Sequence, residues 1–360
     1  MSLEVIEPII NGFKIKYSMM SDMIHISELE GRKTNVFINI DSILSKFFRS
    51  DEVISAFNSL EDNVILTSEL INIIAHYRHF FWSRYRMPIT FYLYHCNKQP
   101  KWQKKYVPNY NIKTLDKIQD KENPKYGGLP EAIEQNLRLV KLLSTYVDKA
   151  YYIESDGLEP SVIPYYVSTL GCKDTCNIII TQDKSEYQLV NLDNTVVFHP
   201  RGNKSKIITK KNIFDEAVFG DIKYKPNNEL DPNLYSLYIA LTGDKNRNLI
   251  RVDGFSKVKS LKLIDRLIDM KYINNGINKG LDKILLMEFL SESQYKQLKN
   301  NYKCINFNFA YKLLRDVDKV KINNCFVDKY DNKAIMEINS KYFEYNHIRL
   351  IELCEGTSIY

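Results

Sequence analysis

Short apolar runs that alternate with helical stretches constrain this chain more than any other feature. Asn35 to Ile40, Ile89 to Tyr94, Ala150 to Ile153, Asn177 to Thr181 and Thr195 to Phe198 each read as a buried strand. Helical spacing separates them: from Ser42, over Ser68 to Arg84, from Leu129 to about Tyr146, from Leu158 to Leu170, and from Gln182 to Leu189. A strand that is apolar on both faces needs cover on both faces, and intervening helices supply it by stacking on a parallel sheet. The expected fold class is α/β. Such sheets keep their sites at the carboxyl ends of the strands. Asp41 and Asp183 stand there, just past two of the apolar runs, although an aspartate in that place also serves as a helix N-cap. Pro160 suits the first turn of the Leu158 helix, whereas Pro164 lies deeper and predicts a kink or a late start.

The length of 360 residues fits two or three units, or one large α/β domain with an appendage. The expected divisions are an N-terminal extension at 1–33, a core at 34–211, a helical region at 212–270 and a helical or mixed extension at 271–360. Hydrophobic content of 44% with 26% charged residues excludes wholesale disorder. No apolar run approaches the ~18 residues of a membrane span, so no membrane partner is expected. Met1 to Gly12 shows no basic and apolar leader, and the six cysteines are read as reduced thiols. Cys172 and Cys176 lack the further ligands of a zinc site. The expected location is the cytoplasm, or a host cell or virion for a viral chain.

A net charge of +6 permits an anionic partner without demanding one. Clustering says more. Lys98, Lys101, Lys104 and Lys105 sit with Trp102, Tyr106 and Tyr110 in a basic, aromatic stretch, 97–128. Arg201, Lys204, Lys206, Lys210 and Lys211 form a second group, and Lys257, Lys259 and Lys262 a third. Cations among rings suit a nucleic-acid groove; solvated loops are the plain alternative. Beyond 212 the pattern turns helical. Leu234 to Leu241, the turn Thr242 to Asn248 and a basic helix from Lys257 form a helix–hairpin–helix pattern, whose turn amides can hold a phosphate. A late β-hairpin is expected near Val320–Phe343.

Seven segments then succeed one another in a telling order: Asn39-Ile40-Asp41-Ser42, Tyr92 to Pro100, Tyr106 to Asn111, Gly157-Leu158-Glu159-Pro160-Ser161, Ile180 to Val190, Ala240 to Asn248 and Val252 to Ile264. Over roughly 35–265 this series resembles the structure-specific 5′ nuclease family: flap endonucleases, the 5′ exonuclease domain of bacterial DNA polymerase I, and viral relatives. The most specific likeness is Thr181-Gln182-Asp183-Lys184-Ser185, set against the family's Ser-x-Asp-Lys-Asp. The longest is Val252 to Ile264, similar without a gap to the family's Val-Pro-Gly-Ile-Gly hairpin and the helix after it. The resemblance implies a PIN-like parallel core, a clamp region at 97–128, a helix–hairpin–helix subdomain and branched or single-stranded-ended DNA as partner. It assigns nucleic-acid contacts to Gly254, Ser256, Lys257 and Lys259, with Lys101, Lys104, Lys105, Arg201 and Lys204 in support.

The family gathers seven or eight carboxylates around two divalent metals. Here Asp41, Glu159, Asp183 and Asp244 stand at family acidic positions. The second-strand aspartate gives way to Tyr94-His95-Cys96, an Asp-Asp to Ser161-Val162, one acid to Ser185 and another to Arg247. An arginine at a ligand position opposes a cation, by ~4 kcal/mol per unit charge at about 4 Å and an effective dielectric of ~20. The expectation is a vestigial acidic cluster without a cofactor, in a pseudo-nuclease that binds DNA or acts as a scaffold beside other subunits. The alternatives are an active 5′ nuclease using Mg²⁺ or Mn²⁺ on Asp41, Asp183 and Asp244, with Asp51, Asp156 or Glu186 as added acids, and a protein–protein adaptor.

Overall fold

The computed structural model describes residues 32–47, 51, 54, 70, 72–79, 88–96, 98–112, 129–144, 149–155, 157–170, 175–201, 204–219, 222, 224–270 and 286–325. Strand β1 (Lys33–Asn39) runs straight into α1 (Ile40–Phe47). There follow β2 (Ile89–Cys96), α2 (Leu129–Ser144), β3 (Ala150–Ser155), α3 (Val162–Leu170) and β4 (Thr175–Ile180). A 3₁₀ stretch (Lys184–Asn191), β5 (Thr195–His199) and β6 (Lys206–Ile208) complete the sheet region.

The six strands lie in the order β3-β2-β1-β4-β5-β6, all parallel except β6. The first three strands build outward on one side of β1, and β4 then returns to its other side. Chain direction across the sheet therefore reverses between β1 and β4, and the crevice at such a reversal opens at the strands' carboxyl ends. Ile38 pairs with Ile180 at the end of that junction, so the residues just beyond, Asp41 and Asp183, flank the crevice. Every residue of β4 is buried: Ile178 to Ile180 as apolar side chains, and Asn177 with its Oδ1 accepting from Asn35 at 3.0 Å.

Further helices are α4 (Ile213–Ala217), α5 (Tyr235–Thr242), α6 (Lys257–Asp269), α7 (Glu292–Ile305), α8 (Phe307–Lys312) and α9 (Asp316–Asn324). Helix α5 is buried from Tyr235 to Leu241 and carries almost no polar face, which suits a helix enclosed by others. Helix α7 packs along it, and α8 packs on α3. None of the described helices is long and apolar enough to cross a membrane.

Three expectations change. The Leu158 helix starts only at Val162, which places Pro164 in its first turn, where a missing N–H costs nothing. The Gln182–Leu189 segment is 3₁₀ rather than α, opened by the Asp183 side chain accepting from the Ser185 amide. Val320 to Asn324 belong to α9 rather than to a hairpin. Val320 and Ile322, two apart, imitate strand alternation, but Arg315 grips Asp318 and closes the helix start ahead of them. The rest of that hairpin, residues 1–31 of the N-terminal extension and 113–128 of the clamp region lie outside the described residues.

Candidate functional site

The site begins with a turn that only glycine permits. Helix α5 ends at Gly243, at φ +75°. A Cβ there would lie 2.5 Å from the Leu249 carbonyl oxygen and 2.6 Å from the Arg251 nitrogen. Asp244 and Leu249 then exchange backbone hydrogen bonds of 3.0 and 2.9 Å, closing a tight loop. Inside it the Asp244 carboxylate accepts from the Asn246 amide, and Asn248 turns the chain in the left-handed region. The loop leaves the Arg247 side chain one direction, inward, where it is 2% exposed.

There the guanidinium meets three carboxylates. It forks onto Asp183, Nη1 at 2.7 Å from Oδ1 and Nη2 at 2.5 Å from Oδ2. Nη2 also donates to Glu159 Oε1 at 2.6 Å, and Nη1 to Asp244 Oδ2 at 3.2 Å. Paired, charge-assisted bonds of this kind hold a planar cation in a fixed orientation. Burial would favour the neutral arginine, but Asp183 and Glu159 reverse that and hold it well above its ordinary value. Burial pushes Asp183 up; the Arg247 charge and bonds from Ser185 outweigh it and keep this carboxyl low. Asp244 ends up raised, because burial and the Asp183 charge exceed what its longer bond to Arg247 returns.

A further shell closes the cluster. Tyr110, fully buried, donates to Glu159 Oε2 at 2.6 Å. Ser161, where the family carries an acid, donates to Glu186 Oε1 at 2.8 Å. Glu186 also accepts from Asn39 (3.0 Å) and from the Tyr94 hydroxyl (2.8 Å). Burial, then the Asp183 charge, raise the Glu186 carboxyl to about 7. Asp51, another of the acids considered above, is exposed, and Asp156 lies outside the described residues.

Asp41 takes separate partners. Its Oδ1 lies 3.0 Å from His95 Nδ1, and its Oδ2 accepts from the Cys96 amide at 3.0 Å. Tyr94, His95 and Cys96, the stretch in which the resemblance has its second-strand acid, are all engaged: Tyr94 with Glu186, His95 and Cys96 with Asp41. The Cys96 thiol is pushed up, first by burial and then by the Asp41 charge. Glu159, Asp183 and Asp244 converge on Arg247, whereas Asp41 sits with His95. The three carboxylates already direct oxygens at a guanidinium, and among the described residues no three of His, Cys, Asp and Glu are grouped to hold a metal.

No protein-family model and no curated protein matches the chain by sequence. Solved structures do match. One is the bacteriophage T5 flap endonuclease, an aspartate-to-lysine pseudo-enzyme in a product complex with DNA and metal ions. It aligns at TM-score 0.53 and 14% identity, over 81% of this chain and 98% of that one. The T5 5′-exonuclease with zinc ions bound aligns at 0.52 and 12%, over 81% and 98%. The T5 protein co-crystallized with metal ions aligns at 0.50 and 14%, over 85% and 99%. This chain has the fold of the 5′ nucleases.

On this 5′ nuclease fold the remaining sequence-picked residues fall on the surface. Gly254 sits at φ +73° with room around it. Ser256 has φ −76°, so it carries no strain, and it caps α6 by accepting from the Lys259 amide. Lys257 and Lys259 are exposed in the first turn of α6; Lys101, Lys104, Lys105, Arg201 and Lys204 are exposed on their loops. Two neighbours in the second basic group bind acids instead: Lys206 with Glu216 at 2.8 Å and Lys210 with Asp193 at 3.1 Å. The described aromatic residues of the clamp stretch are packed rather than presented. Trp102 and Tyr106 lie against Phe309, and Tyr110 is buried on Glu159. Tyr110 and Tyr94 as donors to the acids escape sequence reasoning, because their partners lie 49 and 92 residues away.

Proposed function

We propose that this protein binds nucleic acid, branched or single-stranded-ended DNA in particular, on a 5′ nuclease fold whose hydrolytic centre is an internal ion cluster. It acts as a DNA-binding or scaffold subunit rather than as a phosphodiesterase. The observation that carries this is Arg247 held by Glu159, Asp183 and Asp244. Two-metal hydrolysis needs carboxylates free to hold two cations ~3.5–4 Å apart, one activating water and one taking the leaving oxygen. Here the carboxylates already hold a cation that can neither activate water nor accept an oxygen ligand. The phosphate-facing parts of the fold do not depend on that centre. The T5 pseudo-enzyme, with lysine for an aspartate, is found with DNA, which supports the pairing of a basic-for-acidic change with retained binding.

A working Mg²⁺ or Mn²⁺ nuclease draws support from Glu186, a further acid in the cluster. Its oxygens, however, already accept from Asn39, Ser161 and Tyr94. The test is one titration of flapped and 5′-ended DNA in EDTA, Mg²⁺ and Mn²⁺, with cleavage followed in the same samples. Equal binding in all three, with intact DNA, is the expected result. Cleavage abolished by Asp41→Ala would restore the enzyme, and absence of any binding would leave a protein–protein adaptor.

A further inference from the structure

Helix α7 joins the two surface regions described above, and its two faces differ in kind. One face carries carboxamides. Gln294 donates to the Asp253 carbonyl at 2.9 Å, Gln297 to that of Arg251 at 2.9 Å, and Asn301 to those of Ile250 and Ala240 at 2.7 and 2.9 Å. The segment leading into α6 is thereby fixed along this helix. At its far end α7 meets the clamp loop: Cys304 approaches the Gln103 carbonyl, and Lys303 Nζ stands 4.4 Å from the Tyr106 ring centre.

The opposite face carries Lys296, Lys299 and Lys303, spaced i, i+3, i+7 and so aligned along one side. Lys296 and Lys299 are exposed. Lys299 lies 5.9 Å from the Tyr295 ring, and Lys303 is half-buried against Tyr106 and Phe309. A lysine face kept only for solubility is ordinarily interspersed with acids. Glu292, the first residue of α7, is the only acid in the helix. The stripe lies on the side of α7 turned away from the 250–256 segment, and its last lysine rests on Tyr106, next to Lys104 and Lys105 in the chain. Seven residues of helix rise ~10 Å, about three steps of a duplex at ~3.4 Å each.

We propose that the Lys296–Lys299–Lys303 face of α7 is a track for the phosphates of duplex DNA, extending the clamp-loop cations along the helix. This rests on the nucleic-acid reading above. A duplex is the partner because, among the described residues, the rings at the clamp end, Trp102, Tyr106 and Phe309, pack on one another rather than standing open to unstacked bases. Phosphate contact without base readout gives affinity that is indifferent to sequence and steep in salt.

The test uses the full chain and the double variant Lys296→Ala with Lys299→Ala, sparing Lys303, whose ring contacts contribute to packing. Binding to a blunt duplex and to a single strand of equal length is measured at several salt concentrations, with urea midpoints confirming intact folding. The slope of log K against log salt on the duplex is expected to fall by about two, at ~0.9 per lost phosphate contact. The variant Lys296→Glu with Lys299→Glu is expected to bind more weakly still. An unchanged duplex slope in a folded variant, with wild-type binding intact, overturns the track while leaving the function standing. A slope lost only on the single strand overturns the choice of duplex. Wild-type protein that binds neither overturns both.

Discussion

The Arg247 cluster and the segment 250–256 are neighbours in one stretch of chain, yet they are held by opposite means. Around Arg247 the charges answer one another in the interior: three carboxylates against one guanidinium, with Tyr110 and Ser161 closing the edges. In 250–256 the backbone is fixed by neutral carboxamides from α7, and cations stand at the surface. A buried acid cluster must be neutralised to exist at all, so when its ligand set changes, a residue of the chain has to supply the missing positive charge. A surface that recognises phosphates carries no such obligation. The two regions can therefore diverge independently, and they should fail differently: the cluster through charge, and the connector, meaning the 250–256 segment with the Gly243 turn it packs against, through shape.

The largest effect is expected from Arg247→Ala. It strands Glu159, Asp183 and Asp244 without their cation, and breaking a buried ion network costs ~3–5 kcal/mol. Urea denaturation measures this, and a loss under about 1 kcal/mol would mean that the cluster does not depend on its arginine.

Glu186→Gln separates charge from packing within the same region. Glu186 takes its proton at about 7 in the folded protein, against an ordinary value of 4.5. The folded state then keeps a proton that the unfolded chain has lost, so stability falls as pH rises from 4.5 to about 7. Over that window the loss is on the order of 3 kcal/mol. Asp244, also raised, adds in the same direction; Asp183, held low, acts only in more acid solution. The Gln variant should show a much flatter profile between pH 5 and pH 8 in chemical denaturation. A profile as steep as wild type would assign the titration to another group.

In the connector, Gly243→Ala leaves every charge in place but forces a Cβ against the Leu249 carbonyl at positive φ. A cost of about 2 kcal/mol is expected, with little dependence on pH or salt. A strongly salt-dependent loss would show that the connector, too, is held by charge.

Much of this was legible in the sequence, for reasons that differ by element. The strands declared themselves because a buried parallel strand is apolar on both faces, as at Ile178, Ile179 and Ile180. The crevice followed from their alternation with helices, and Arg247 stood out because the resemblance to the 5′ nucleases expects an acid there. What stayed hidden depends on distant pairing. Nothing local marks Tyr110 as the donor to Glu159, and the carboxamides of α7 reach a segment 41 to 51 residues earlier. The aromatic residues near 102–110 carried the right composition for base stacking, but composition does not reveal that Phe309 already covers two of them.

The most direct test of the account is a calorimetric titration of Mn²⁺ into the wild-type protein and into Asp183→Asn. With Arg247 serving as the cluster's cation, the wild type should show no saturable Mn²⁺ site that the Asn variant lacks. A stoichiometric Mn²⁺ site in the wild type that disappears in Asp183→Asn would contradict it, because the guanidinium would then have yielded its place to a metal.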